Sequence, residues 1–320
     1  MKYVEISGSK ISSIGLGTWQ FGSREWGYGA EYAEKTAIEL VHRALELGVN
    51  LIDTAEFYGF GKSESVIGHA IAGLRDQVYI ATKLFPVFPV RSLVVSRARA
   101  SAARLQVESL DLYQLHWPNP VVPIVETARG LKTLLDEGLV KDVGVSNYSL
   151  KQWRSAEIAL GKPIISNQVH FSLLTRGPEI ELVPFAQANN RLIIAYSPLE
   201  QGVLSGKYDS RHRPKGMRSA RKFFYPVNLD RLRPLLDKLA QIAASHGASS
   251  SQIALAWLIS KPNVSAIPGA ASVAQLESNV AAAEIELSRD EIETLDEMSR
   301  QFEPAGPKAL LTDLKTMVRR

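Results

Sequence analysis

Four polar residues sit where a packed interior ordinarily wants apolar ones: Asp53, Tyr58, Lys83 and His116. Three of them end apolar runs, Leu51-Ile52-Asp53, Val78-Tyr79-Ile80-Ala81-Thr82-Lys83 and Leu110-Asp111-Leu112-Tyr113-Gln114-Leu115-His116. A buried Lys83 requires a counter-charge, which Asp53 on a neighbouring run can supply. An ammonium beside a phenol favours the phenolate, so Tyr58 is expected to titrate below its free value of ~10 and to exchange a proton. Neutral His116 can donate a hydrogen bond to a substrate oxygen. Such a set suits carbonyl/alcohol interconversion, where a proton reaches oxygen as a hydride reaches carbon. Singly, each residue has a plain structural reading: a turn aspartate, a lysine snorkelling from a strand end, a satisfied core histidine, a buried tyrosine with a paired hydroxyl. Jointly, at successive strand ends, they point to chemistry.

Those residues need elements to hold them. Short apolar, β-rich runs recur at Ile14–Gly17, Asn50–Asp53, Val78–Lys83, Leu110–His116, Val140–Ser146, Ile164–Val169, Leu192–Ser197 and Ala266–Pro268. Amphipathic segments lie between most of them: Ala33–Leu47, Arg91–Gln106, Ile124–Asp136, Ser149–Leu160, Glu179–Ala188, Ser249–Ile259 and Ser272–Ala283. Strands feeding helices imply parallel pairing, and nearly continuous apolar strands fit a sheet buried on both faces. An open doubly wound sheet and a closed barrel both satisfy this. Eight regular units without a linker favour a (β/α)8 TIM barrel, with residues 1–320 as a single domain. Tyr3–Ile6 and Ile11–Ile14 predict an extra N-terminal hairpin. Leu229–His246 and Ser288–Ser299 predict two extra helices, the second opening on the capping box Ser288-Arg289-Asp290-Glu291. The longest expected loop is Glu200–Val227, and long loops in compact folds are often functional.

Composition narrows the class. The 320 residues are 45% hydrophobic and 22% charged, which is ordinary for a globular chain. No stretch approaches the ~20 apolar residues of a membrane span, and the first residues lack a signal-like apolar core. The absence of cysteine excludes disulfides, thiolate metal sites and a cysteine nucleophile. It fits a reducing, cytoplasmic compartment, and no metal is expected. The net charge is only +4, with much of the excess in the tract Arg211 to Lys222. So local a cluster reads as a loop, solvated or facing an anionic ligand, and argues against a nucleic-acid partner.

The motifs around these residues resemble those of the aldo-keto reductase family over roughly Ile14 to Leu287. They are Gly48-Val49-Asn50-Leu51-Ile52-Asp53-Thr54-Ala55-Glu56-Phe57-Tyr58-Gly59, Ala81-Thr82-Lys83, Asp111 through Pro118, Gly144-Val145-Ser146-Asn147-Tyr148-Ser149, and Ser197-Pro198-Leu199 before Gly202. The resemblance implies a (β/α)8 barrel and NAD(P)H-dependent reduction of an aldehyde or ketone. Asp53, Tyr58, Lys83 and His116 match the family's catalytic tetrad, with Tyr58 as general acid. Gly17, Thr18 and Trp19 resemble positions near the nicotinamide and ribose, and Asp53 is also expected among the cofactor-binding residues. Ser146, Asn147 and Gln168 match those that bind the carboxamide, and Tyr196 the aromatic that stacks on the ring. Ser197, Leu199, Gly202, Ser205 and Lys207 fall in the segment that wraps the pyrophosphate.

At the adenosine end the resemblance covers Gly269, Ser272, Gln275 and Asn279. Ser272 with Gln275 is also a capping box, and a helix amino terminus suits phosphate. The chain departs from the family at Ala271, where many relatives carry Arg or Lys, and at Ser278, often Glu. No carboxylate lies from Pro268 to Leu276 to grip a free 2′-hydroxyl, so the expected cofactor is NADP(H), with NAD(H) as the alternative. Substrate walls are expected from Trp19, Trp26, Tyr58, Phe85, His116 and Trp117, with Tyr28, Phe57, Phe60 and Phe88 nearby. These would enclose an apolar or aromatic carbonyl compound. The competing expectation is a nucleotide-binding regulatory subunit of the same fold with little turnover.

Overall fold

The computed structural model describes residues 1–23, 29 and 34–306. An antiparallel hairpin comes first, β1 (Tyr3–Ile6) and β2 (Ser9–Ser12), turned by Ser7 and Gly8 at positive φ. Then β3 (Leu16–Gly17), β4 (Leu51–Asp53), β5 (Tyr79–Leu84), β6 (Leu110–Leu115), β7 (Val140–Ser146), β8 (Ser166–His170), β9 (Leu192–Tyr196) and β10 (Val264–Ala266) pair in parallel, in chain order. Parallel bridges Ile14 to Ala266 and Gly17 to Gly269 join the first strand to the last and close the barrel. Closure leaves no open sheet edge.

The helices are α1 (Glu34–Glu46), α2 (Lys62–Ala70), α3 (Arg91–Leu105), α4 (Ile124–Asp136), α5 (Leu150–Leu160), α6 (Pro178–Ala188), α7 (Pro226–Ser245), α8 (Ser250–Ile259), α9 (Val273–Ala281) and α10 (Arg289–Gln301). Helices α7 and α10 are the additions to the repeating pattern. Sequence periodicity did not single out α2. It has nine residues, with Ser63, Glu64 and Gly68 on its buried side, so its inward face is not an apolar stripe. Strand bounds shift too: the second hairpin strand ends at Ser12, and the last barrel strand lies at Val264–Ala266. The loop expected over Glu200–Val227 contains short helical turns at Glu200–Ser205, Gly216–Ala220 and Lys222–Phe224.

Alternation along each strand sorts side chains into two cores. Ile52, Ile80, Tyr113, Val145 and Ile193 point outward and pack against the helices. Leu51, Tyr79, Ala81, Leu112, Ile165 and Ile194 point inward, and Ile6 and Ile11 of the hairpin plug the amino-terminal end below them. The inward row therefore changes from apolar at the bottom to polar at the carboxyl end: Leu51 to Asp53 on β4, and Tyr79 and Ala81 to Lys83 on β5.

One close approach tests this packing. A Cβ on Gly68 of α2 would stand 2.6 Å from the Arg104 carbonyl oxygen and 2.8 Å from the Leu105 carbonyl carbon. An alanine gains up to ~1 kcal/mol of helix propensity, but a clash with rigid backbone costs ~1–3 kcal/mol. The clash wins, so Gly68→Ala should lower the melting temperature. A rise would mean that α2 does not lie against the end of α3.

Candidate active site

Strands β4 and β5 bring Asp53 and Lys83 side by side inside the barrel mouth, 2% and 0% exposed. The Lys83 ammonium has three N–H groups and three acceptors: Asp53 Oδ2 at 2.8 Å, the Thr54 carbonyl at 2.7 Å and the Tyr58 oxygen at 3.1 Å. Asp53 Oδ1 accepts from Gln168 Nε2 at 2.6 Å. Burial pushes the Asp53 carboxyl up and the Lys83 ammonium down, and each partner's charge opposes the shift.

Tyr58 is carried by a tight turn in which Gly59, Phe60 and Gly61 all take positive φ. Its oxygen accepts from Lys83, which leaves its own O–H to donate elsewhere. Burial, and then the charges of Asp53 and Tyr196, hold its pKa well above the ordinary tyrosine value. This corrects the sequence expectation of a lowered value. The ammonium's charge is already met by Asp53, and a desolvated phenolate beside that carboxylate is costly. Tyr58 is therefore a neutral phenol, a proton donor in form.

His116 lies face to face with Trp117, ring centroids 3.7 Å apart, and edge-on to Tyr58 at 5.9 Å. Its Nδ1 is buried and finds no hydrogen-bond partner among the described residues. Burial, then the Lys83 charge, pushes its pKa down to about 2, so the ring is neutral. Trp19 stacks along Tyr58 at 5.7 Å, Phe85 stacks on Phe57 at 4.5 Å and meets Trp117 edge-on at 5.7 Å. Trp19 and Trp117 are half open, at 52% and 38% exposure. The wall candidates Trp26 and Tyr28 lie outside the described residues. Beside Trp117 opens a cavity of about 440 Å³, bounded by Pro86, Pro118, Asn119, Tyr148 and Lys151.

Among the expected cofactor residues, Ser146, Asn147, Gln168 and Tyr196 are joined by hydrogen bonds. Ser146 donates to the Gln168 carbonyl, the Asn147 amide donates to Ser146 and to the His116 carbonyl, and Tyr196 donates to Asn147 Oδ1 at 2.9 Å. After β9 the backbone enters the left-handed region at Ser197, Glu200, Gln201, Gly202 and Gly206. Ser205 donates to the Gly202 carbonyl, and the Lys207 ammonium lies over the Tyr208 ring. At the start of α9, Ser272 caps the Gln275 N–H, Gln275 accepts from Ala271, and Asn279 reaches the Gly269 carbonyl. Gly17 is joined to Gly269 at the barrel seam, and Leu199 is partly buried against the core. Thr18 is fully buried in the wall, its hydroxyl donating to the Asp53 carbonyl. Sequence reasoning missed His170, which stacks under Tyr196 at 5.3 Å beside the buried Glu200. Its place at the end of β8 was the available signal. Among the described residues, no cluster of His, Cys, Asp or Glu could hold a metal ion, and no helix is long and apolar enough to cross a membrane.

The Aldo/keto reductase family model matches residues 13–300. An uncharacterised oxidoreductase of Mycobacterium tuberculosis is 53% identical over 315 residues, 98% of each chain. The structure is similar to that of a glycerol dehydrogenase from Gluconobacter oxydans, with a TM-score of 0.86 and 30% identity over 95% of this chain and 98% of that one. It is also similar to an aldo/keto reductase from Klebsiella pneumoniae solved with NADP and acetate, with a TM-score of 0.76 and 30% identity over 95% of this chain and 96% of that one.

The neutral, buried imidazole has a thermodynamic signature. In the unfolded chain His116 takes up a proton near 6.5, while in the folded protein it stays neutral to about 2. Unfolding therefore takes up a proton below 6.5, and stability falls with falling pH across that window. The His116→Asn variant should lose less stability than the parent on going to about pH 4, by up to ~1.4 kcal/mol per pH unit. Denaturant melts at several pH values check this, and identical slopes would contradict a buried neutral ring.

Proposed function

Because this chain belongs to the aldo/keto reductase family and is an oxidoreductase, we propose that it reduces an aldehyde or ketone to the alcohol with NADP(H), Tyr58 being the proton donor. The observation that carries the reading is the Lys83 ammonium, held by Asp53 and Thr54 and directed at the Tyr58 oxygen. That arrangement disposes the phenol proton toward the mouth and places a cation where negative charge develops once the proton leaves.

The residues present fit a dinucleotide. The half-buried Tyr196 offers a flat face beside the Asn147 and Gln168 amides, for the nicotinamide and its carboxamide. The left-handed run after β9, with Ser197, Gly202, Ser205 and Lys207, suits a pyrophosphate approached by backbone N–H groups. The α9 amino terminus, with Ser272 and Gln275, suits the adenosine end. The lack of any carboxylate from Pro268 to Leu276 favours a 2′-phosphate over a free 2′-hydroxyl, and the Klebsiella relative holds NADP.

When bound, the reduced cofactor supplies the hydride. Tyr58 hydrogen-bonds the substrate oxygen and passes it the phenol proton. Lys83 then stabilises the phenolate at its hydrogen-bonding distance, and Asp53 keeps the ammonium charged and in place. Neutral His116, unable to compete as an acid, orients the carbonyl through a ring N–H. Trp19, Phe85 and Trp117 exclude water and match a small apolar carbonyl compound.

Replacing Tyr58 by Phe removes the proton but keeps the ring stack on Trp19. Tyr58→Phe should lower the rate of aldehyde reduction by ~10²-fold or more, with NADPH affinity by fluorescence titration little changed. Parental turnover would reject Tyr58 as the donor. Ala271→Arg adds a cation at the α9 entry and should raise the ratio of NADPH to NADH efficiency in steady-state assays. An unmoved ratio would mean that the adenosine end lies elsewhere.

A further inference from the structure

Behind the mouth, on the outer side of the barrel wall, lies a second polar cluster, buried except for part of Arg104. Ser63 and Glu64, in the first turn of α2, are both 0% exposed. A hydroxyl chain runs from Thr54 to Ser63 at 2.9 Å, from Ser63 to Thr18 at 2.8 Å, and from Thr18 to the Asp53 carbonyl at 2.8 Å. Glu64 accepts from Thr82 at 2.6 Å and from Arg104 Nε at 2.7 Å. The three threonines are also fully buried.

Their places in the chain give the cluster its meaning. Thr54 follows Asp53, Thr82 precedes Lys83, and Thr18 precedes Trp19. Alternation turns each threonine outward as its neighbour turns toward the mouth. Thr54 serves both sides, its carbonyl accepting from Lys83 and its hydroxyl donating to Ser63. Helix α2 also follows directly on the turn that carries Tyr58. Arg104 lies under that turn: a Cβ on Gly61 would stand 2.7 Å from Arg104 Cδ. One helix start is thus bonded to residues beside Asp53 and Lys83 and continuous with Tyr58.

Packing alone does not call for this. A carboxylate with zero exposure is costly unless it is fully paired, and an apolar contact would join α2 to the wall at less cost. What hydrogen bonds add is direction. They tie the start of α2 to Thr54 beside β4 and to Thr82 on β5. Glu64 also favours the charged form of Lys83 through the wall.

We propose that Ser63 and Glu64 are positioning residues that set, from outside the barrel, the relative placement of Asp53, Tyr58 and Lys83. The inference rests on the reading of those three as the reacting set. Both side chains are fully buried, with no surface for a ligand to reach.

Four variants test it. Thr82→Val removes one hydroxyl at constant shape, and Thr82→Ser retains it. Ser63→Ala breaks the hydroxyl chain, and Glu64→Gln removes the charge. Thr82→Val and Ser63→Ala should lower kcat by ~10-fold or more, with KM for NADPH little changed, and Thr82→Ser should keep the parental rate. In Glu64→Gln the alkaline limb of the kcat–pH profile should move to lower pH, because Lys83 loses a supporting negative charge. The same downward shift should be seen for Lys83 by 13Cε-lysine NMR titration of the cofactor-free protein, a readout independent of turnover and of folding yield. Parental kcat in both Thr82→Val and Ser63→Ala would overturn the proposal. So would a Lys83 titration in Glu64→Gln that coincides with the parent. If Tyr58→Phe kept full activity, the catalytic reading would fall instead, and the NMR titration would still decide whether Glu64 acts on Lys83.

Discussion

A cation sealed inside a barrel is the constraint from which the rest of this molecule follows. Lys83 has no exposed surface, and an ammonium taken from water is tolerated only when its charge is met and its three N–H groups are bonded. Asp53 meets the charge, Thr54 and Tyr58 complete the bonding, and the strand register brings β4 and β5 together. Tyr58 is held as the third acceptor, which leaves its own proton unspent on Lys83. The same burial that makes Lys83 demanding keeps His116 neutral and Tyr58 protonated. One electrostatic cost thereby sets the protonation state of the whole mouth.

The barrel bears this cost because its two ends differ. The lower end is closed by Ile6 and Ile11 of the hairpin against an apolar inward row, and the outer shell packs ten helices' worth of aliphatic side chains among the described residues. The buried Asp53, Lys83, His116 and Gln168 lie at the other end. Left-handed residues occur there at Gly59, Phe60 and Gly61 beside Tyr58, at Asn147, and at Ser197, Glu200, Gln201 and Gly202. Such conformations persist only where the surroundings over-determine them, and here the hydrogen bonds of the wall and rim do so.

Much of this was legible in the chain. Alternating apolar runs and amphipathic segments marked the strands and most helices, and the polar residues ending successive runs marked the mouth. What escaped was hidden for identifiable reasons. Helix α2 buries Ser63 and Glu64, so its inward side does not read as an apolar stripe. The side of the wall on which the Thr18 hydroxyl falls was hidden because position along a strand end does not fix it. The bounds of β2 and β10 moved because short strands are delimited by pairing partners, and pairing is not a local property.

By itself, the sequence determined which residues could carry charge or a proton and the order in which strands would deliver them, since periodicity and residue type are local properties. Tertiary structure alone decided the direction in which Tyr58 titrates. A lysine near a phenol lowers its pKa in water, but here the ammonium is already matched by Asp53 and the phenol is desolvated. Desolvation and the sharing of one charge among several partners depend on distances across the fold, and no stretch of the chain contains them.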